Sequence, residues 1–270
     1  MDLQLQGKRA FVSGASGGIG RSIAQVLSEE GCSVVAHGRD KTRTEETAHL
    51  IEKAGGKVVV AIGDLATDEG CRSVADLSLD SLGGIEIVVN NAGVAIRKDA
   101  PAWSEIPPQT WIDSYQVNFL SSLRMSQMFL PSIKEAGWGR FINISSVSAT
   151  KVPALHEYGV AKAALNKLTA DMSKDVGKYN ATANGIMPGI IMTPAIEEYL
   201  RVTAQRMQWT GDQAEIERRY FTEMAPQSVT RMGQPIDIAG MVVFLASPWA
   251  SYVTGVTFRI DGGSNPNSQG

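Results

Sequence analysis

The chain predicts a doubly wound α/β fold, a seven-stranded parallel sheet of Rossmann type with helices on both faces and an inserted helical lid. Three observations carry that expectation. Short β-branched runs recur with amphipathic segments between them along the 270 residues. The runs are apolar throughout and do not alternate, which is the pattern of parallel strands covered on both faces. Glycines stand where helices must stop and feed a strand, at Gly31, at Gly55 and Gly56, and at Gly83 and Gly84.

Taken in order, RAFVS at 9–13 reads as the first strand and SIAQVLSEEG as the helix that follows its glycine-rich turn. SVVAHG at 33–38 is the second strand, a charged stretch around 41–54 the second helix, and KVVVAIG at 57–63 the third strand. The rhythm continues through IEIVVN at 85–90, RFINIS at 140–145, ATANGIM at 181–187 and GVTFRI at 255–260. One stretch departs from it. Residues 193–232 read as one or two amphipathic helices between the sixth strand and the last helix, and an insertion of that length is a functional cover more often than a connector. This lid carries Tyr199, Met207, Trp209, Tyr220, Phe221 and Met224. A Met-rich aromatic cover suits a hydrophobic or ring-shaped small molecule, whereas the competing reading is that these groups pack the lid onto the body or onto a neighbouring subunit.

Hydrophobic residues make up 43% of the sequence and no Pro- or Ser-rich break divides it, so residues 1–270 are expected to form a single domain. The net charge is −3, with both signs scattered. That leaves neither a basic stripe for nucleic acid nor a polybasic segment for a membrane surface. The opening MDLQLQGKRAFVSG lacks a leader pattern and no run reaches the length of a membrane span, which points to the cytoplasm. Cys32 and Cys71 lack metal-ligand spacing and are expected to be structural, with no metal site.

The turn after the first strand is SGASGGIG, where Gly14, Gly18 and Gly20 surround Ser16, Gly17 and Ile19 and open a helix. Glycines allow a tight turn and close backbone approach, and the helix N-terminus offers free N–H groups and a positive dipole end to a pyrophosphate. Cofactor choice in such sites is set at the end of the second strand, where a carboxylate takes the ribose of NAD and an arginine the 2′-phosphate of NADP. Here VVAHGRD puts Gly38 at the carboxylate position and Arg39 beside it. NADP(H) is therefore preferred and NAD(H) possible. Asp40 is placed to pair with Arg39, and Gly17 occupies a turn position where a second basic residue would strengthen the preference.

Further along, Tyr158 and Lys162 lie four residues apart and Ser146 twelve before the tyrosine. An i, i+4 pair shares a helix face, and a cation a few Å from a phenol favours the phenolate. The pair is thus expected to bring the tyrosine toward a working proton donor or acceptor at neutral pH.

Taken together SGASGGIG, NNAG at 90–93, the serine, YGVAK and the Pro188-Gly189 pair resemble the short-chain dehydrogenase/reductase superfamily in its single-domain branch, from about residue 5 to 263. The resemblance implies a catalytic tetrad of Asn118, Ser146, Tyr158 and Lys162, with Ser145 as a minor alternative to Ser146. In that scheme Tyr158 gives its proton to the carbonyl oxygen, Ser146 hydrogen-bonds that oxygen, Lys162 lowers the tyrosine pKa and holds the nicotinamide ribose, and Asn118 holds a water. It also implies that Asn91, Ala92 and Gly93 run along the adenosine, that Asp64 and Leu65 meet the adenine, and that Pro188, Gly189, Ile191 and Thr193 touch the nicotinamide carboxamide. A small-molecule carbonyl or alcohol substrate and a homodimer or homotetramer built on helices near 104–134 and 157–178 follow from the same likeness. Two departures are that Ser13 replaces a threonine and that the gap between Ser146 and Tyr158 is one residue short, which alters the substrate wall at 147–157. His156, Arg97 and Lys98 read as peripheral. The expected activity is hydride transfer between NADP(H) and a ketone or secondary alcohol; the rival readings are an NAD-dependent alcohol dehydrogenase and a nucleotide sensor without turnover.

Overall fold

The structure, a computed structural model, describes residues 2–96, 102–151 and 155–264. Its strands are β1 (Arg9–Val12), β2 (Ser33–Gly38), β3 (Lys57–Ile62), β4 (Ile87–Asn90), β5 (Gly139–Ile144), β6 (Ala181–Pro188) and β7 (Thr257–Ile260). Among the described residues they form one seven-stranded sheet in the order β3-β2-β1-β4-β5-β6-β7. Every pairing is parallel. The helices are α1 (Gly18–Glu29), α2 (Lys41–Lys53), α3 (Asp68–Leu82), α4 (Pro108–Tyr115), α5 (Ser121–Ala136), α6 (His156–Val176), α7 (Pro194–Arg206), α8 (Gln213–Arg219) and α9 (Pro235–Ala246).

Alternation of side chains along each strand splits the core in two. Ala10, Val12, Val34, Ala36, Ile142 and Ile144 face one way, onto apolar residues of α1 and α9. Phe11, Val35, Val88 and Phe141 face the other way, onto α3 and α5. Phe11 and Phe129 of α5 meet there with ring centroids 4.9 Å apart. Helix exits use the expected glycines: Gly31, Gly55 and Gly83 have φ of +87°, +86° and +68°. The chain runs outward from β1 through β2 to β3 and then returns to place β4 on the other side of β1, which opens a crevice at the carboxyl ends of β1 and β4.

Two expectations change. The helix anticipated over 104–134 is interrupted by a π-helical turn at Gln116–Leu120, where the Ser121 N–H reaches back five residues to the Gln116 carbonyl. Such a turn inserts one residue and re-aims the side chains around it, here Asn118. The lid does fold into helices, α7 and α8, but much of its aromatic load points into the lid itself. Trp209, Tyr220 and Phe221 are buried with Leu200, Ala204 and Met232 in a core of their own. Only Tyr199, Met207 and Met224 of the six bulky groups stay exposed. Cys32 and Cys71 are free and buried, in keeping with a structural role. Among the described residues no helix is long and apolar enough to cross a membrane, and no cluster of metal-ligating side chains occurs.

Candidate active site

The glycine-rich turn is shaped by contacts that exclude side chains. Gly14 has φ +68°, and a Cβ there would lie 3.0 Å from both the Ala92 Cα and the Asn91 Nδ2. A Cβ on Gly20 would lie 2.2 Å from the Gly14 carbonyl oxygen. The turn is stitched to the end of β4 by Ser13, whose hydroxyl accepts from the N–H groups of Asn91 and Ala92, both at 2.9 Å, and donates to the Val89 carbonyl. This is the work the departure from threonine preserves. Asn91 returns the contact, its amide donating to the Ser13 and Gly14 carbonyls at 2.9 and 3.2 Å. Gly17 precedes α1 without a capping side chain, and no acidic residue occupies the first helical turn, so its N-terminal amides face outward unopposed.

Beside the turn lies a cavity of about 270 Å³ lined by Gly14, Ser16, Gly38, Arg39, Arg43, Asp64, Leu65 and the Asn91–Gly93 strand end, among others. Asp64 and Leu65 are held by a local turn in which Asp64 Oδ1 accepts from the Ala66 N–H. Asp40 does not pair with Arg39; its carboxylate caps α2 by accepting from the Arg43 N–H at 3.1 Å. Gly38 has no room for a carboxylate, since a Cβ there would sit 2.2 Å from the Thr44 hydroxyl. The second basic group that Gly17 does not supply comes from α2, because the Arg43 guanidinium lies 2.8 Å from where a Gly17 Cβ would be.

The third group of residues gathers where β4, β5 and α6 meet. Ser146 follows β5 and caps a short 3₁₀ turn, its hydroxyl accepting from the Ser148 N–H at 3.1 Å. Tyr158 and Lys162 lie one turn apart near the start of α6, with the Lys162 Nζ 5.7 Å from the phenol ring centroid. Lys162 is buried and donates to the Ile144 carbonyl at 2.8 Å. Burial disfavours its charged form and pulls its pKa down to about 7. Burial also pushes the Tyr158 phenol up from its ordinary value, and hydrogen bonding by the Ser146 hydroxyl opposes the rise. Burial and Ser146 are the causes that act on the phenol, so the expected lowering by Lys162 is not among them, and burial weakens the lysine's own charged form. Asn118 lies on the π-helical turn with its side chain buried and hydrogen-bonded. Its amide donates to the Val94 and Ser114 carbonyls, both at 3.0 Å, and its Oδ1 accepts from the Val94 N–H at 2.9 Å. The side chain is committed to holding the strand that leaves β4. Gly93 fits between Asn118 and Lys162, where a Cβ would be 2.8 and 2.9 Å from their polar atoms.

Of the two adjacent serines, Ser145 is turned away, donating to the Lys162 carbonyl at 3.1 Å. Below the site, Pro188 ends β6 and Gly189 bonds to the Ile260 carbonyl. Ile191 bridges to Gly233, and Thr193 caps α7 while its methyl lies 3.2 Å from the Cβ position of Gly18. The lid therefore begins against the glycine turn.

A family profile described as enoyl-(acyl carrier protein) reductase matches residues 14–265. The 7alpha-hydroxysteroid dehydrogenase of Escherichia coli is 31% identical over 263 residues, spanning 97% of this chain and 96% of that protein. The chain is a short-chain dehydrogenase/reductase. Among solved structures, L-sorbose reductase from Gluconobacter frateurii, complexed with NADPH and L-sorbose, superposes with a TM-score of 0.88 at 30% identity over 98% of each chain. A 7α-hydroxysteroid dehydrogenase complexed with NADH and 7-oxo glycochenodeoxycholic acid gives 0.84 at 29% identity, again over 98% of each. Like these relatives, this short-chain dehydrogenase/reductase is an oxidoreductase.

Two residues of this short-chain dehydrogenase/reductase, Arg43 and His37, line the cavity without belonging to any of the sequence motifs. Arg43 would have been found by taking Asp40 as a helix cap, which puts the third residue beyond it in the first turn, beside the strand end. His37 was legible as a polar residue at a buried strand position, which requires partners. Arg97 and Lys98 lie outside the described residues, as do Val152, Pro153 and Ala154 of the substrate wall.

Proposed function

We propose that the enzyme interconverts a ketone and a secondary alcohol with NADP(H), Tyr158 acting as general acid and base. The observation that carries this reading is the convergence of Tyr158, Ser146 and Lys162 at the carboxyl end of β5, next to a turn whose glycines leave room for a phosphate. The dinucleotide fits the residues present: the open N-terminus of α1 suits a pyrophosphate, and the cavity bounded by Asp64, Leu65 and Arg39 suits an adenosine. Gly14, Ser16, Gly17, Gly18, Ile19 and Gly20 would hold the former, and Asn91, Ala92, Gly93, Pro188, Gly189, Ile191 and Thr193 the remainder. When bound, the nicotinamide supplies or accepts the hydride.

The chain's own part is proton management. A phenol is protonated at neutral pH and burial moves Tyr158 further in that direction, so it is ready to donate to a carbonyl oxygen, and the Ser146 hydroxyl is placed to hydrogen-bond the same oxygen. Lys162, titrating near neutrality, can pass a proton on to the phenol without a large energetic step. Asn118 keeps Val94 and Gly93 against this group.

Preference for the phosphorylated cofactor follows from a missing carboxylate and two cations. Gly38 admits no side chain, and the guanidiniums of Arg39 and Arg43 both border the cavity without a salt-bridge partner among the described residues. The same reading takes the protein to be a homo-oligomer, since Ile112, Tyr115 and Val160 leave an apolar surface exposed on α4 and α6. The test is oxidation of NADPH with a panel of cyclic and linear ketones. Tyr158→Phe is expected to lower turnover by about 10²–10⁴-fold while NADPH affinity is unchanged; undiminished turnover would remove Tyr158 as the acid.

A further inference from the structure

We propose that His37 is a positioning residue for the cofactor, a buried imidazole that ties the first glycine of the phosphate turn to the turn after β3 and so fixes the shape of the adenosine cavity. The inference rests on the reading above that the adenosine half of a dinucleotide occupies that cavity.

His37 is the next-to-last residue of β2 and only 2% exposed. A polar side chain at that depth must find partners. It has two: Nδ1 lies 3.3 Å from the Gly14 N–H and Nε2 lies 3.0 Å from the Gly63 carbonyl. A carbonyl can only accept, so Nε2 carries the proton and donates to it. An amide can only donate, so Nδ1 is bare and accepts. A single species, the neutral Nε2–H tautomer, satisfies both contacts, and a second proton would set one N–H against another.

The same residue also holds the turn through its main chain, its carbonyl accepting from the Ala15 N–H at 2.7 Å. Two successive amides of the phosphate turn are therefore anchored on one residue of the neighbouring strand. On the other side, Gly63 leads directly into Asp64 and Leu65. The imidazole thus joins the ends of β1, β2 and β3, the three strands whose tips border the cavity. The surroundings keep it neutral. Phe11 packs at 6.0 Å between ring centroids, and burial pulls the imidazole pKa down to about 4. The charged groups that reach it, Arg39 and Asp64, act in opposite directions. Preforming the cavity in this way removes an ordering cost from binding, which is how a residue can set a ligand's affinity through the shape of the site.

Dissociation constants for NADPH and for NADH, measured by fluorescence titration, and kcat at saturating cofactor would be compared in the full-length enzyme and in His37→Phe, His37→Asn and His37→Gln. His37→Phe is expected to weaken both cofactors by equal factors of about tenfold, the scale of one lost hydrogen bond, with kcat within about twofold. Recovery of part of that loss is expected in Asn, which keeps an acceptor, or in Gln, which keeps a donor. Unchanged affinities, a loss confined to one cofactor, or a kcat that falls in step would overturn the assignment. Should the variants fail to fold, the unaltered enzyme still decides. It contains three histidines, so nitrogen-correlated proton NMR can follow each imidazole. A His37 signal fixed as the Nε2–H tautomer from about pH 5.5 to 8 supports the bracket, and titration near the ordinary value of about 6.5 rejects it. Failure of the cofactor reading is distinguishable: it would appear as an unaltered enzyme with no affinity for either dinucleotide, or as loss of NADPH preference with His37 still acting on both.

Discussion

The tips of β1, β2 and β3 and the corner between β5 and α6 are built from different material. The first region works through main chain: glycines that admit no Cβ, amides left open at a helix start, and arginines that stay at the surface. The second works through buried polar side chains, with Lys162, Asn118 and Ser145 all shielded from water. Geometry alone defines what the first region can hold. In the second, the ionic state of each group depends on how much water its neighbours exclude, so its chemistry is set by packing as much as by residue identity.

Lys162 exposes that contrast most strongly. A lysine whose pKa falls from 10.5 to about 7 on folding binds its proton less readily in the folded than in the unfolded chain. The resulting destabilisation is complete below about pH 7, shrinks as the pH rises from there, and vanishes above the unfolded value. Unfolding free energy of the cofactor-free enzyme is therefore expected to increase from pH 7 to 10 at about 1.4 kcal/mol per unit at most. Lys162→Met should flatten that rise and lower turnover by about 10²–10⁴-fold, making the variant more stable at neutral pH and nearly inactive. Denaturant melts across the pH range provide the check, and an unaltered slope would show that the ammonium is not buried as described.

The arginines give the smaller, surface counterpart. Replacing Arg39 or Arg43 by Ala is expected to weaken NADPH by about tenfold each, from the loss of a charge-assisted hydrogen bond, and to leave NADH nearly unaffected. Equal losses for both cofactors would mean that the two cations serve the cavity's shape and not its charge. Added salt should blunt the effect, since these groups are exposed and screening acts on them.

Legibility followed the same division. Glycine at 14, 18 and 20 is demanded by space and backbone angle, which local sequence reports well, and the Tyr158–Lys162 spacing placed both on one turn of α6 as read. The direction of the Tyr158 shift could not be read, because it depends on burial supplied by segments distant in sequence. The same holds for Asn118, whose partner Val94 is 24 residues away. For the lid, composition showed the aromatic load but not its orientation, and Trp209, Tyr220 and Phe221 turned inward because a helical insertion needs a core of its own. Arg43 was hidden by a wrong partner for Asp40, a question settled by the helix cap.

That cap offers the mildest way to separate the two roles open to Asp40. If its carboxylate neutralised Arg39, removing it would strengthen NADPH binding several-fold. The structure instead commits Oδ1 to the Arg43 N–H at the start of α2. Losing an N-cap costs about 1 kcal/mol. Asp40→Ala is accordingly expected to lower stability by about that amount, seen as a small drop in Tm, with NADPH affinity changed by less than about threefold through the removal of an exposed, screened charge. A larger gain in NADPH affinity with no loss of stability would return Asp40 to the ion pair and take Arg39 out of the phosphate site. The cap is thus the point at which the main-chain architecture of the first region controls where its charges are free to act.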